Sequence, residues 1–206
     1  MNAAGRANSP DPLPGLRIAV VGVTGSGKTT VAARLAQALG IPHIELDALH
    51  WKANWVMTGL EVFRQQVDQA LSGPAWVLDG NYSKVRDLIW PRATTLVWLD
   101  YPLTVVLWQL TCRTLARILT REVLWNSNRE TFRGAFFSRD SLFLWALQTH
   151  KRHRSEYTRL LSQPEYAHLQ VIHLHSRKET NRWFFGFCRR AKPIIEPGGE
   201  TTCIIM

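Results

Sequence analysis

The chain has 206 residues, 46% hydrophobic and 20% charged, enough for one compact α/β domain with its own core and little more. Its formal net charge of +9 attracts anions, whether nucleotides, nucleic acid or an acidic membrane surface. Cys112, Cys188 and Cys203 are odd in number and fall at no metal-ligand spacing, which points to free thiols in a reducing compartment and away from a cysteine metal site.

Residues 1–15 are polar and Pro-rich, with no apolar signal core, and read as a disordered leader. Residues 16–22, LRIAVVG, have the short apolar character of a buried parallel strand. After a Gly-rich turn, 29–39 reads as a helix with Val31, Leu35, Ala38 and Leu39 on one face, Gly40 as its C-terminal cap and Pro42 preventing its continuation. A second strand is expected at 43–46, and a helix at 58–72 with Leu60, Phe63, Val67 and Leu71 at helical spacing. A third strand at 75–78 ends in Asp79-Gly80, and a fourth at 94–99 ends in Asp100. Pro102 suits the first turn of a helix running to about Thr120. The run from Leu96 to Leu119 carries Asp100, Arg113 and Arg117, so it is not a membrane span. Residues 121–150 are mixed and aromatic, without a clean period; 151–162 reads as a helix, 169–174 as a fifth strand, 177–190 as a last helix and 191–206 as a loose tail. Strands alternating with helices predict a parallel sheet covered on both faces. Most of the nine tryptophans are expected in the core or a cleft.

The class is decided by Gly22-Val23-Thr24-Gly25-Ser26-Gly27-Lys28-Thr29, a GxxxxGK(S/T) motif with a strand before it and a helix after it. Its glycines let backbone N–H groups turn inward around a phosphate, and the helix N-terminus adds partial positive charge. Gly22, Thr24, Gly25, Ser26, Gly27, Lys28, Thr29 and Thr30 are the candidate ATP-binding residues. Lys28 is expected to reach the β- and γ-phosphates, and the Thr29 hydroxyl to ligate Mg²⁺.

A doubly wound sheet places its ligands beyond the carboxyl ends of its strands. Asp79 is the preferred metal carboxylate, acting through water, whereas Asp100, before Tyr101-Pro102, is explained as a helix-start residue. Glu45 and Asp47 end the second strand, where alternate residues share a face. One is then free to help place the metal while the other takes a proton from an acceptor hydroxyl; the alternative is a pair of ordinary loop acids. Trp51, Trp55 and Tyr82 are either a stacking wall for a planar acceptor or packing residues. His50 has no ligand partner at metal spacing.

Basic residues crowd one stretch: Arg113, Arg117, Arg121, Arg129, Arg133, Arg139, Lys151, Arg152 and Arg154 against Glu122, Glu130 and Asp140. Arg113, Arg117 and Arg121 share one helix face and are candidates to stabilise charge on a moving phosphoryl group, with a solvated stripe as the plainer reading. Arg129, Arg133 and Arg139 are read as lid residues, and Lys151-Arg152-His153-Arg154 as a solvated helix start or a weak anion patch.

The strings VVGVTGSGKTTVAARLAQALGIPHIELDALHW and WVLDGNYSKVRDLIWPRATTLVWLDYPL resemble the adenylate-kinase-like P-loop kinases, and within them a bacterial group filed as adenylate kinases or DNA topology modulation proteins. The resemblance spans roughly 16–185. It implies a P-loop NTPase fold, three-layer α/β/α with a five-stranded parallel sheet and an arginine-bearing helical lid, using ATP and Mg²⁺. Carried onto this sequence, it places acceptor-binding residues at Glu45, Asp47, Gly80 and Arg86 and lid arginines among Arg113, Arg117 and Arg121. Asp79-Gly80-Asn81-Tyr82 stands where adenylate kinases have Asp-Gly-Phe-Pro-Arg, a departure from their AMP-binding pattern.

The expected organisation is a kinase domain over 16–190, with a lid at about 113–150 and a flexible tail over 191–206. The expected activity is ATP-dependent phosphoryl transfer to a small-molecule acceptor, a nucleotide or nucleoside among the candidates. Lys28, Asp47 and the arginines Arg113, Arg117 and Arg121 form the catalytic set. A nucleic-acid-associated NTPase is the alternative suggested by the charge, although no DNA-binding motif is recognisable. A non-catalytic ATP-binding regulator is argued against by the presence together of Lys28, Thr29, Asp79 and Asp47. Nucleic-acid contact is expected to be weak and non-specific, membrane attachment absent and the location cytoplasmic. Cys203-Ile204-Ile205-Met206 matches the prenylation pattern C-a-a-X, but in a chain of bacterial character this tail is expected to stay unmodified.

Overall fold

The computed structural model describes residues 16–120 and 142–191. The expectations for the leader, for Arg121, Arg129, Arg133 and Arg139, and for the tail with Cys203 fall outside those residues.

Strand β1 (Arg17–Gly22) is apolar on both faces from Ile18 to Val21, which suits only a strand covered above and below. It lies at the centre of a parallel sheet of order β2-β3-β1-β4-β5, with β2 at His43–Glu45, β3 at Trp76–Asp79, β4 at Thr95–Leu99 and β5 at Gln170–Leu174. Ile18 lies opposite Val77 and Thr95, and Val20 opposite Asp79 and Val97. The strand order reverses at β1, so the crevice at its carboxyl end is the expected ligand position of a doubly wound fold.

Alternation along the strands divides the core into two layers. On one face Ile18, Val20, Val77 and Val97 pack against α1 (Lys28–Leu39) through Val31 and Leu35, with Val106 and Leu110 of a later helix, Leu103–Thr120. On the other, Ala19, Val21, Leu78 and Leu96 pack against Phe63 and Val67 from Leu60–Ala70 and Ile89 from Arg86–Ile89. With Leu46–His50 as α2, these helices are α3 (Leu60–Ala70), α4 (Arg86–Ile89) and α5 (Leu103–Thr120) in chain order. They are followed by α6 (Leu142–Leu161) and α7 (Arg177–Ala191), the latter packing Phe184 and Phe187 onto the first face. The fold is a three-layer α/β/α P-loop architecture with a five-stranded parallel sheet. Among the described residues no helix is long and apolar enough to cross a membrane.

Two elements differ from expectation. The second strand stops at Glu45, and Leu46–His50 turns into a short helix whose Leu46 is fully buried. Helix α6 starts at Leu142, not near 151, because its inward positions Ala146, Thr149, His153 and Tyr157 mix buried polar with apolar residues and so hide the helical period. Ala146 belongs to the first core layer and Tyr157 to the second, so α6 passes from one side of the sheet to the other.

Leu35 is completely buried between α1 and the sheet. Leu35→Ala is expected to cost about 2–5 kcal/mol of stability, read as a lowered midpoint in urea unfolding.

Candidate active site

Between β1 and α1 the chain folds into the Gly22–Thr29 turn, with Ser26 N–H donating to the Val23 carbonyl at 3.1 Å. Gly27 is the N-cap of α1 at φ 89°, a left-handed conformation that glycine adopts without strain. The first turn of α1 has no acidic residue, and no side chain caps it. Its leading N–H groups and their partial positive charge therefore suit an oxyanion. The Ser26 hydroxyl is buried in the turn without a hydrogen-bond partner among the described residues. Thr24 is half-buried, and Thr29 and Thr30 are exposed at the start of the helix. An orphaned hydroxyl beside an uncapped helix N-terminus fits the phosphates of ATP. The Thr29 hydroxyl and the Asp79 carboxylate are the hard oxygen donors that Mg²⁺ takes.

The Lys28 ammonium donates to the Val23 carbonyl at 3.1 Å. Burial pushes its pKa down, the nearby Asp79 and Asp47 carboxylates push it back up, and Arg113 again lowers it. Four predicted site residues thus share one electrostatic neighbourhood. Asp79 ends β3 opposite Val20, on the α1 side of the sheet, and is only 4% exposed. His43 on the neighbouring strand bridges two acids, its Nε2 at 3.7 Å from Asp79 and its Nδ1 at 3.9 Å from Glu45.

The expectation that Glu45 and Asp47 share a face of one strand is corrected. Glu45 is the last residue of β2 and turns to His43, whereas Asp47 stands in the first turn of α2. Asp47 accepts a hydrogen bond from the Tyr82 hydroxyl at 2.5 Å. Burial, together with the Asp47 charge, raises the Tyr82 phenol well above its ordinary range, so it remains a donor. Tyr82 also hydrogen-bonds the Trp51 side chain and packs on His50 and Phe63 at centroid distances of 4.6 and 5.3 Å. Trp55 meets Trp51 edge-on at 5.7 Å, so the three rings adjoin without forming a flat stacking wall. Next to Tyr82, the Asn81 side-chain amide accepts from Gly22 N–H at 3.2 Å and donates to the Gly22 carbonyl.

Gly80 and Arg86 line the same small cavity as Asn81, Tyr82 and Tyr157. Arg86 is held by Glu156 of α6 at 2.8 Å and lies 5.2 Å over the Trp90 ring. Arg113 and Arg117 are half-buried on α5, and Arg113 is close enough to Lys28 to shift it. The helix-start role expected for Asp100 is also corrected: α5 begins only at Leu103. The buried Asp100 carboxylate instead accepts from Arg154 Nε and His173 Nε2, both at 3.0 Å. Lys151, Arg152 and Arg154 are exposed, as the solvated-patch reading expects, but Arg154 also pairs with Asp100, and His153 beside it is buried.

His43, Asn81 and Glu156 are near-site residues that the sequence reading did not single out, and His153, read there as part of a solvated patch, is buried instead. Asn81 had a signal, since it lies in the Asp79–Tyr82 string that departs from the adenylate kinase loop; the other three depend on strand register and on the course of α6.

A family model described as shikimate kinase matches residues 24–71, a span running from the phosphate turn to the end of α3. Shikimate kinases from Synechococcus elongatus and from Synechococcus sp. are each 28% identical over 144 residues, covering 60% of this chain and 76% of the relative. The crystal structure of a gluconokinase from Sinorhizobium meliloti 1021 shares the fold, with a TM-score of 0.50 at 20% identity over 88% of this chain and 96% of that one.

Burial depresses the pKa of His153 and also of His50. The folded state then binds fewer protons than the unfolded one in this range. The stability they contribute is complete above the ordinary histidine pKa of about 6.5 and is lost as the pH falls through it. The melting temperature is expected to drop between about pH 7.5 and pH 5.5, and His153→Gln to reduce that drop; scanning calorimetry across this range checks it.

Proposed function

We propose that this chain, an ATP-dependent phosphotransferase on the P-loop kinase fold, phosphorylates a hydroxyl of a small acceptor held beside α2 and the loop 79–82, with Asp47 taking the proton. The observation that carries this reading is the placing of two carboxylates around the phosphate turn, Asp79 at the end of β3 opposite Val20 and Asp47 in the first turn of α2, held by the Tyr82 hydroxyl at 2.5 Å. They come from different elements, and only one is needed near a metal. Asp79 is buried at the strand end, beside the phosphate turn. Asp47 is half-buried and is oriented by a hydrogen bond from Tyr82, as a base awaiting an acceptor hydroxyl would be.

The turn's backbone N–H groups would grip the phosphates, and Lys28 would offset their charge as it shifts toward the leaving oxygen. Arg113, whose charge reaches Lys28, would add to that neutralisation. Mg²⁺, held by the Thr29 hydroxyl and by Asp79 through water, would supply positive charge to the phosphate oxygens. Asp47 would accept the hydroxyl proton as the new P–O bond forms.

The matched span 24–71 supports a hydroxyl acceptor, because it covers α2 and α3 as well as the phosphate turn. Shikimate, named by the similar chains, is the first compound to test, with gluconate next. Nucleotides and nucleosides belong in the same screen, because the chain resembles the adenylate-kinase-like P-loop kinases even though Asp79–Tyr82 departs from their AMP-binding pattern. A DNA-stimulated arm tests the nucleic-acid alternative. We take the cytoplasm, where ATP is abundant, as the site of the reaction.

Lys28→Ala is expected to leave a folded protein by circular dichroism but to abolish phosphoryl transfer; wild-type turnover would sink the assignment of the phosphate site. Asp47→Asn keeps the shape and removes the base. It is expected to lower kcat by about 10²-fold or more while ATP affinity stays within a few-fold, measured by steady-state kinetics and calorimetric titration with ATP. Collapse of ATP binding with turnover preserved at saturation would remove Asp47 from the role of base.

A further inference from the structure

We infer that the loop Asp79–Tyr82 is a spacer that fixes the phosphate turn and the base relative to each other, with Asn81 and Tyr82 as two positioning residues of separate function. This rests on the reading of Asp47 given above. The loop leaves β3 with Asp79 beside the phosphate turn. Gly80 then passes so close to the start of α2 that a Cβ on it would lie 2.8 Å from the Leu46 Cβ. Its φ of +134° is in any case strained for other residues. The next two side chains point to opposite partners. Asn81 holds both backbone groups of Gly22, the first residue of the phosphate turn. Tyr82 holds the carboxylate of Asp47.

The direction of the Tyr82 hydrogen bond is fixed by its partner: a carboxylate only accepts, so the phenol hydrogen goes to Asp47. The ring is clamped as well, against His50 and Phe63. Asp47 thus has one carboxylate oxygen committed to Tyr82, which sets the direction in which the other meets an acceptor. Since Asn81 and Tyr82 are adjacent, the distance from phosphate cradle to base is set by one peptide unit rather than by the packing of α1 against α2.

A loop serving only the fold would affect binding and turnover together when either residue is changed. A spacer predicts that they separate. Tyr82→Phe keeps the ring packing and removes one hydrogen bond to a charged group. It is expected to lower kcat about ten- to hundredfold while leaving the ATP dissociation constant unchanged. Asn81→Ala removes the hold on Gly22 and is expected to weaken ATP about tenfold with a smaller change in kcat. Asn81→Asp, of the same size, replaces it if the alanine variant does not fold by circular dichroism. Turnover is measured with the best acceptor of the screen, ATP hydrolysis by water included, and ATP affinity by calorimetry. The inference is overturned if Tyr82→Phe has wild-type kcat, or if the two variants change the same parameter to the same degree. A separate failure, full turnover in Asp47→Asn, would remove the base and leave the hold of Asn81 on Gly22 untouched.

Discussion

A buried ammonium is the constraint around which this molecule is arranged. Lys28 sits where loss of water penalises its charge and lowers its pKa, and the Asp79 and Asp47 carboxylates work against that lowering. That arrangement requires β3 to end opposite Val20, so that Asp79 reaches the phosphate turn. It also requires β2 to give way to a helix at Leu46, so that Asp47 arrives from another side. Nearby cationic groups are then kept in check: Arg86 is paired with Glu156, and burial favours the neutral form of His153. The result is a site that sets two carboxylates against Lys28 and Arg113 and leaves an uncapped helix N-terminus for a polyanionic ligand.

Helix α6 ties this edge together. Its early residue Ala146 packs in one core layer and Tyr157 in the other, so the helix joins both sides of the sheet. On the way it delivers Arg154 to Asp100 and Glu156 to Arg86, and His150 to the Tyr101 carbonyl at 2.9 Å. Each of these contacts satisfies a buried or half-buried partner: the Asp100 carboxylate, Arg86 and the Tyr101 carbonyl. The exposed pairs Arg64–Asp87 and Arg92–Asp68 are of a different kind, worth about 0–1 kcal/mol each, and serve mainly to orient α3 against its neighbours.

Much of the architecture was legible because parallel strands buried on both faces read as apolar runs, and β1, β3, β4 and β5 were found within a residue or so of their ends. The phosphate turn was legible for a different reason: its residue types are dictated by backbone geometry and charge. What was hidden depended on partners far away in sequence. Nothing local distinguishes a fourth strand residue at Leu46 from a helix start, because its burial beneath Gly80 is tertiary. Asp100 looked like a helix-start residue because Pro102 follows it; its partners Arg154 and His173 lie on α6 and β5. The buried Thr149 and His153 broke the apolar rhythm of α6 and hid its first half, so that only 151–162 was read as helix.

The central position of β1 also governs when the nucleotide site can exist during synthesis. Among the described strands β1 is made first, yet it pairs not with β2 but with β3 and β4. The apolar run Ile18–Val21 has no partner strand until Asp79 has emerged and gains its second only with Leu99, and the layer above it still awaits Phe184 and Phe187. Nascent chains therefore carry a partly uncovered sticky segment until α7 is made, a natural client for holding chaperones. A message truncated before β4 would yield a product that contains every residue of the phosphate turn but leaves one edge of β1 unpaired.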